Sequence, residues 1–182
     1  LPVKAAAKLN ELQVIGSHNS YKTGLDEQIV NKLDNLESGF ADKISYAHPT
    51  LNEQLDLGLR QLEIDVLADS QGGRYSNPLG QAWTKNQLYS DVQKQQLAKP
   101  GFKVLHIPDV DVSSHCVLFT ECLTQLKNWS NQHPRHLPIY ILFNAKETRW
   151  EEIAGVQPEL FSVDHYQALS NVISKVLGQD KL

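Results

Sequence analysis

The sequence predicts an α/β fold of parallel strands joined by helices, and two observations carry that expectation. Short apolar runs of strand length alternate with amphipathic helical stretches along the whole chain. Successive runs end in polar residues able to do chemistry, which is where the carboxyl ends of parallel strands place active sites. No internal repeat, low-complexity tract or linker divides the 182 residues, so they read as one domain, 1–182.

The first strand is expected over Leu12–Gly16, closing in the turn-like Gly16-Ser17. Asp26–Leu36 reads as a helix, with Ile29, Leu33 and Leu36 at helical spacing. A shorter helix over Leu51–Gly58 puts Leu51 and Leu55 on one face, and Leu59–Val66 is the clearest strand. Ser70–Asn86, with QGG, NPLG and Trp83, has the punctuation of a long functional loop. A third strand is expected over Phe102–His106, stopped by Pro108. Leu118, Cys122, Leu126 and Trp129 mark a helical stripe, and Leu137–Asn144 is the fourth strand. The last helix runs from a Ser162 cap through Tyr166, Leu169, Ile173 and Val176 to Gly178 as the stop signal. Four strands with their crossover helices make half of an eight-stranded barrel. Such a half leaves strand edges and an apolar inner face in water, so a missing C-terminal segment or a second chain is expected to complete it.

Composition narrows the partners. Net charge is −4 and the pI near 6.0, so nothing suggests a nucleic-acid footprint or a polybasic membrane anchor. The opening LPVKAAAKLNELQV lacks a long apolar core, so a secretory leader is either absent or already removed. Cys116 and Cys122 are the only cysteines. Six residues apart on one regular helix they could not bridge, so a disulfide requires Cys116 to lie in the loop before the helix. That pairing favours an oxidising, extracytoplasmic compartment, and two buried free thiols are the alternative.

In RQLEIDV the side chains alternate, so Gln61, Glu63 and Asp65 face one way while Leu62, Ile64 and Val66 face the helices. Two carboxylates stacked toward an interior need a positive partner, and a divalent cation is the economical one; a solvated strand end is the alternative. The first strand delivers His18 and Asn19 to the same end, the third delivers His106, and the fourth aims Tyr140, Leu142, Asn144 and Lys146 to one side. Oxygen donors from Asn19, Glu63, Asp65 and Asn144 suit calcium, or less well magnesium, better than zinc. Both histidines are then free for proton transfer and for stabilising charge on a phosphoryl group. A zinc site using the histidines as ligands is the competing arrangement.

These residues resemble the calcium-dependent phosphoinositide-specific phospholipase C family, in its bacterial and fungal secreted branch. GSHNSYK at 16–22 resembles the first catalytic segment, and HPTLNEQLDLGLRQLEIDV at 48–66 the second. GFKVLHIPDVD at 101–111 resembles the third, CVLFTECL and NWSNQHP the following helix, and LPIYILFNAKE at 137–147 the fourth. The resemblance implies a TIM-barrel-like phosphodiesterase barrel of which this chain is about the first half, a secreted enzyme, and peripheral contact with a lipid surface. It makes His18 and His106 the catalytic histidines, Glu63 both a ligand and the base, and Asn19, Glu63 and Asp65 calcium ligands. Where better-known members carry a glutamate on the fourth strand, this chain has Asn144, with Glu147 three residues on. Lys146 is a candidate for holding a substrate phosphate, with a solvated loop lysine as the alternative. The implied reaction cleaves phosphatidylinositol or a related inositol phosphodiester through a cyclic phosphodiester. A glycerophosphodiesterase also carries an E-x-D pair, but with His-Arg where this chain has His18-Asn19, and a non-catalytic lipid- or partner-binding relative is the reading from another class. His48 reads as a helix-packing residue, Arg60 as outer packing, Trp83 as a loop aromatic, and His115, His133, His136 and His165 as loop or surface residues.

Overall fold

The computed structural model describes residues 8–182, so the first half of the stretch read for a leader lies outside the described residues. A parallel sheet of three strands forms the centre: β1 (Gly16–Ser17), β2 (Gln61–Val66) and β3 (Tyr140–Ala145), in the order β1-β2-β3. Between them run α1 (Glu27–Leu36), α2 (Phe40–Ile44), α3 (Leu51–Asp56), α4 (Asp91–Leu97) and α5 (Phe119–Gln132), and α6 (Val163–Leu177) follows β3.

Side-chain alternation makes the sheet two-faced. Leu62, Ile64 and Val66 are wholly buried and pack with Leu51 and Leu55 of α3 and with Phe119, Leu123 and Leu126 of α5. Ile141 and Phe143 extend the same layer, and α6 closes it with Leu169 and Leu177. Each such side chain removed from water contributes about 1.5–3 kcal/mol, so this layer sets the sheet's position. Gln61, Glu63, Asp65, Leu142 and Asn144 point the other way, and on that face Leu142 is 54% exposed.

The helix signals act where expected. Asp26 caps α1 by accepting from the Gln28 and Ile29 amides, Thr50 caps α3 with Glu53 completing the box, and Ser162 caps α6. Cys116 lies ahead of α5 and pairs with Cys122 in its first turns, with the Cα atoms 5.4 Å apart. Among the described residues no helix is long and apolar enough to cross a membrane.

Two strand expectations need correction. Leu12–Ile15 lies outside β1: Ile15 is 74% exposed and joins the sheet only through its carbonyl, which accepts from the Arg60 and Gln61 amides. Phe102–His106 is no strand of the sheet, because β2 pairs directly with β3 and leaves no slot between them. The segment is extended but makes isolated antiparallel bridges, Lys103 to Leu67 and to Leu118. Its anchor is the buried Lys103 ammonium, 2.9 Å from Asp69 Oδ2, which also donates to the carbonyls of Lys99 and Gly101. Burial pulls the pKa of Lys103 down despite that partner. The long loop expected over 70–86 is present, with one short 3-10 turn at Leu79–Ala82.

Candidate active site

β1 ends at Ser17, and the chain turns at once because Asn19 adopts φ +49°, a left-handed conformation that asparagine tolerates better than most residues. Asn19 is thereby buried to 1% exposure, while the His18 side chain remains 69% exposed. Gln54 of α3, itself buried, clamps this turn: its amide donates to the carbonyls of Ser20 and Pro49 and accepts from Ser17 Oγ at 2.6 Å. Ser20 then stitches the turn to β2, donating its amide to the Glu63 carbonyl and accepting the Glu63 amide at Oγ, both at 2.9 Å. His18 Nε2 comes 3.8 Å from Glu63 Oε2.

Asp65 is fully buried, and the parallel register sets Asn144 beside it. Asn144 Nδ2 donates to Asp65 Oδ1 at 2.9 Å, and Lys146 Nζ stands 3.2 Å from Oδ2. That second contact is ionic only, because Oδ2 has no hydrogen-bond donor. The Tyr21 hydroxyl lies 3.5 Å from Asn19 Oδ1 as a donor. Burial, and next the nearby Asp65 carboxylate, push the Tyr21 pKa well up, so the phenol stays neutral. Tyr46 accepts from Asn19 Nδ2 at 2.7 Å and meets His18 Nδ1 at 3.0 Å; burial raises its pKa also.

His106 is held differently. Its Nδ1 lies 2.6 Å from Asp111 Oδ2, and Lys22 pairs with the same carboxylate oxygen. Lys22 Nζ also donates to the Ile44 carbonyl at 2.6 Å, approaches His106 Nδ1 to 3.3 Å and lies 4.4 Å from the Tyr46 ring centre. Lys22 and Asp111 are both inaccessible to solvent, whereas His106 keeps 13% of its side chain exposed.

The residues singled out from the sequence fall into two clusters, one running from His106 through Lys22 and Tyr46 to His18, Asn19 and Glu63, the other holding Asn144 and Lys146 on Asp65, with Tyr21 between Asn19 and Asp65. Glu147 is engaged elsewhere, accepting the Phe161 amide at 2.8 Å. His48 supports this region from outside, its ring 2.8 Å from the His18 carbonyl and edge-on to Tyr46, and its amide donating to the Lys22 carbonyl at 2.9 Å. Arg60 stacks over Trp129, His165 pairs with Glu159, and Trp83 packs against the cluster that α1 and α2 bury. Lys22, Tyr46, Gln54 and Asp111 were missed by sequence reasoning. Asp111 alone left a signal, an acidic residue five positions after a histidine in a proline-containing turn.

Two carboxylates with side-chain amides beside them, two imidazoles and a lysine paired with one of the carboxylates form a set suited to binding a hard cation and moving protons near a phosphate. Among the described residues no group of three or more His, Cys, Asp or Glu side chains is gathered at one metal position, so any cation here would rely on the amides. No curated protein matches the chain at a significant level. The chain is similar in shape to a calcium-dependent phosphoinositol-specific phospholipase C from a Gram-negative bacterium, Pseudomonas sp., in its apo form and as a myoinositol complex. Each comparison gives a TM-score of 0.46 and 16% identity over 91% of this chain and 40% of that one, so this chain spans well under half of that enzyme's length. The model of the family described as phosphoinositide phospholipase C, Ca2+-dependent, matches residues 7–182. With that match over nearly its whole length, the chain belongs to the calcium-dependent phosphoinositide phospholipase C family.

Proposed function

We propose that the protein cleaves phosphatidylinositol, or a related inositol phosphodiester, with calcium held by Asn19, Glu63, Asp65 and Asn144. The observation that carries this reading is Asp65: a fully buried carboxylate whose Oδ2 receives no hydrogen bond, in strand register with Asn144 and two residues from Glu63. Lys146 Nζ, 3.2 Å away, offsets part of the cost of burying that anion, and Glu63 on the same strand face adds a second carboxylate that a divalent cation would neutralise together with it. These residues fit calcium, which would supply charge neutralisation at the phosphate and a lowered pKa for the attacking hydroxyl.

The protein's own groups do the rest. Glu63 takes the proton of the inositol 2-hydroxyl, whose oxygen then attacks phosphorus. The bond to the diacylglycerol oxygen breaks as His18 gives that oxygen a proton, leaving a cyclic inositol phosphodiester that water opens in a second step. His106, when doubly protonated, donates its Nε2–H to the phosphoryl oxygens as their charge rises. Lys146 neutralises Asp65 in the structure and is the cation assigned to the substrate phosphate. We further take the sheet as the first half of a phosphodiesterase barrel whose inner face, exposed at Leu142, is covered by strands from a further segment or a second chain. Secretion is supported by the Cys116–Cys122 disulfide.

Calcium titration calorimetry tests the metal reading. Wild type should bind calcium, and Asp65→Asn should weaken binding at least tenfold. Equal affinity in the two proteins would remove Asp65 from the site.

A further inference from the structure

We propose that Asp111, anchored by Lys22, is a positioning residue that fixes the His106 proton on Nδ1 and so reserves Nε2 for the substrate phosphate; the assignment rests on the phosphodiesterase reading above.

The argument begins with the donors. An ionised carboxylate can only accept, so a contact of 2.6 Å between Asp111 Oδ2 and His106 Nδ1 requires the hydrogen to sit on Nδ1. Lys22 Nζ is the other group near Nδ1, at 3.3 Å. If Nδ1 were its acceptor, a ring lone pair would face a carboxylate oxygen at 2.6 Å with no proton between them. The shorter contact therefore decides the tautomer. Neutral His106 carries its lone pair on Nε2, and charged His106 presents Nε2–H as the donor free for a ligand.

Backbone and ion pair make the arrangement stiff. The turn from Ile107 to Asp111 folds back on itself: the Asp111 amide donates to the Ile107 carbonyl at 2.9 Å, and the Asp111 carbonyl accepts the His106 and Ile107 amides, each at 3.2 Å. Asp109 in that turn adopts φ +78° and accepts the Leu79 amide on one carboxylate oxygen and the Val156 amide on the other, pinning the turn to two further loops. Lys22 supplies the opposite charge that a fully buried Asp111 demands, and it is itself tied to Ile44 and Tyr46. Among the described residues, Lys22 and Asp111 are the charged groups that contact the His106 ring. His18 is held more loosely: its Nδ1 meets a neutral phenol at 3.0 Å, its Nε2 stands 3.8 Å from Glu63 Oε2, and the ring remains largely exposed. The pair is thus asymmetric, with one imidazole held by a buried ion pair and the other open to solvent.

The test reads the tautomer directly. Long-range proton–nitrogen NMR of the intact protein should show neutral His106 protonated at Nδ1. In Asp111→Asn that preference should be lost, and on phosphatidylinositol vesicles kcat should fall by about 10²-fold with KM little changed. A wild-type His106 protonated at Nε2 overturns the assignment, as does an Asp111→Asn protein that keeps both the tautomer and kcat. The wild-type spectrum needs neither a variant nor a substrate. If it shows the Nδ1 proton in a protein that cleaves no phosphodiester, the functional reading fails and the positioning assignment stands.

Discussion

Asn19 and Asp109 are the described non-glycine residues with left-handed backbone, and each serves a loop that carries a site residue. Asp109, itself buried, satisfies two half-buried amides at once, so Asp109→Ala should cost about 2–4 kcal/mol, read as a lower urea midpoint. Tyr21 gives a pH prediction. Burial first, then Asp65, raises its pKa above the unfolded value, so its contribution is complete below about pH 10 and is lost as pH rises through the folded value. Ultraviolet titration should therefore find the Tyr21 phenolate appearing only together with alkaline unfolding, and early ionisation in a folded protein would contradict its burial. At this scale the sequence exposed residues whose type announces chemistry: His18, Asn19, Glu63 and His106 fall in one linked cluster, and Asp65 lies in a second with Asn144 and Lys146. Lys22 and Tyr46 were illegible because their roles depend on which distant loop they meet, Lys22 reaching Asp111 across 89 positions.

Elements with local grammar were legible. Asp26, Thr50 and Ser162 announce helix starts through capping chemistry that acts within a few residues, and α6 runs between its expected cap and Gly178. α2 and α4 escaped notice, being too short for a hydrophobic period to show over five and seven residues. The misplaced third strand has a different cause. VLHI reads as a strand by composition, but strand pairing depends on partners far along the chain, and the Asp69–Lys103 ion pair holds this segment as a connection instead. The disulfide closes a short loop at the start of α5, so Cys116→Ser with Cys122→Ser should cost about 2 kcal/mol, measured by urea denaturation of the double variant.

At the scale of the molecule, one face of the sheet is sealed by α3, α5 and α6, and the other presents Glu63, Asp65 and Asn144 beside an exposed Leu142. This asymmetry suits a site on the open face, at the carboxyl ends of strands whose positions are fixed from behind. Half-barrel architecture follows from the sequence's strand count only in part, since one of its four expected strands lies outside the sheet. The central claim is a calcium-assisted phosphodiesterase built on His18, His106 and the Glu63–Asp65 pair. Phosphorus NMR of phosphatidylinositol vesicles incubated with the protein tests it most directly. The account predicts a cyclic inositol phosphate signal with calcium, its absence in chelator, and its absence in a folded His18→Ala variant. Turnover that continues unchanged in chelator, or in His18→Ala, would contradict it.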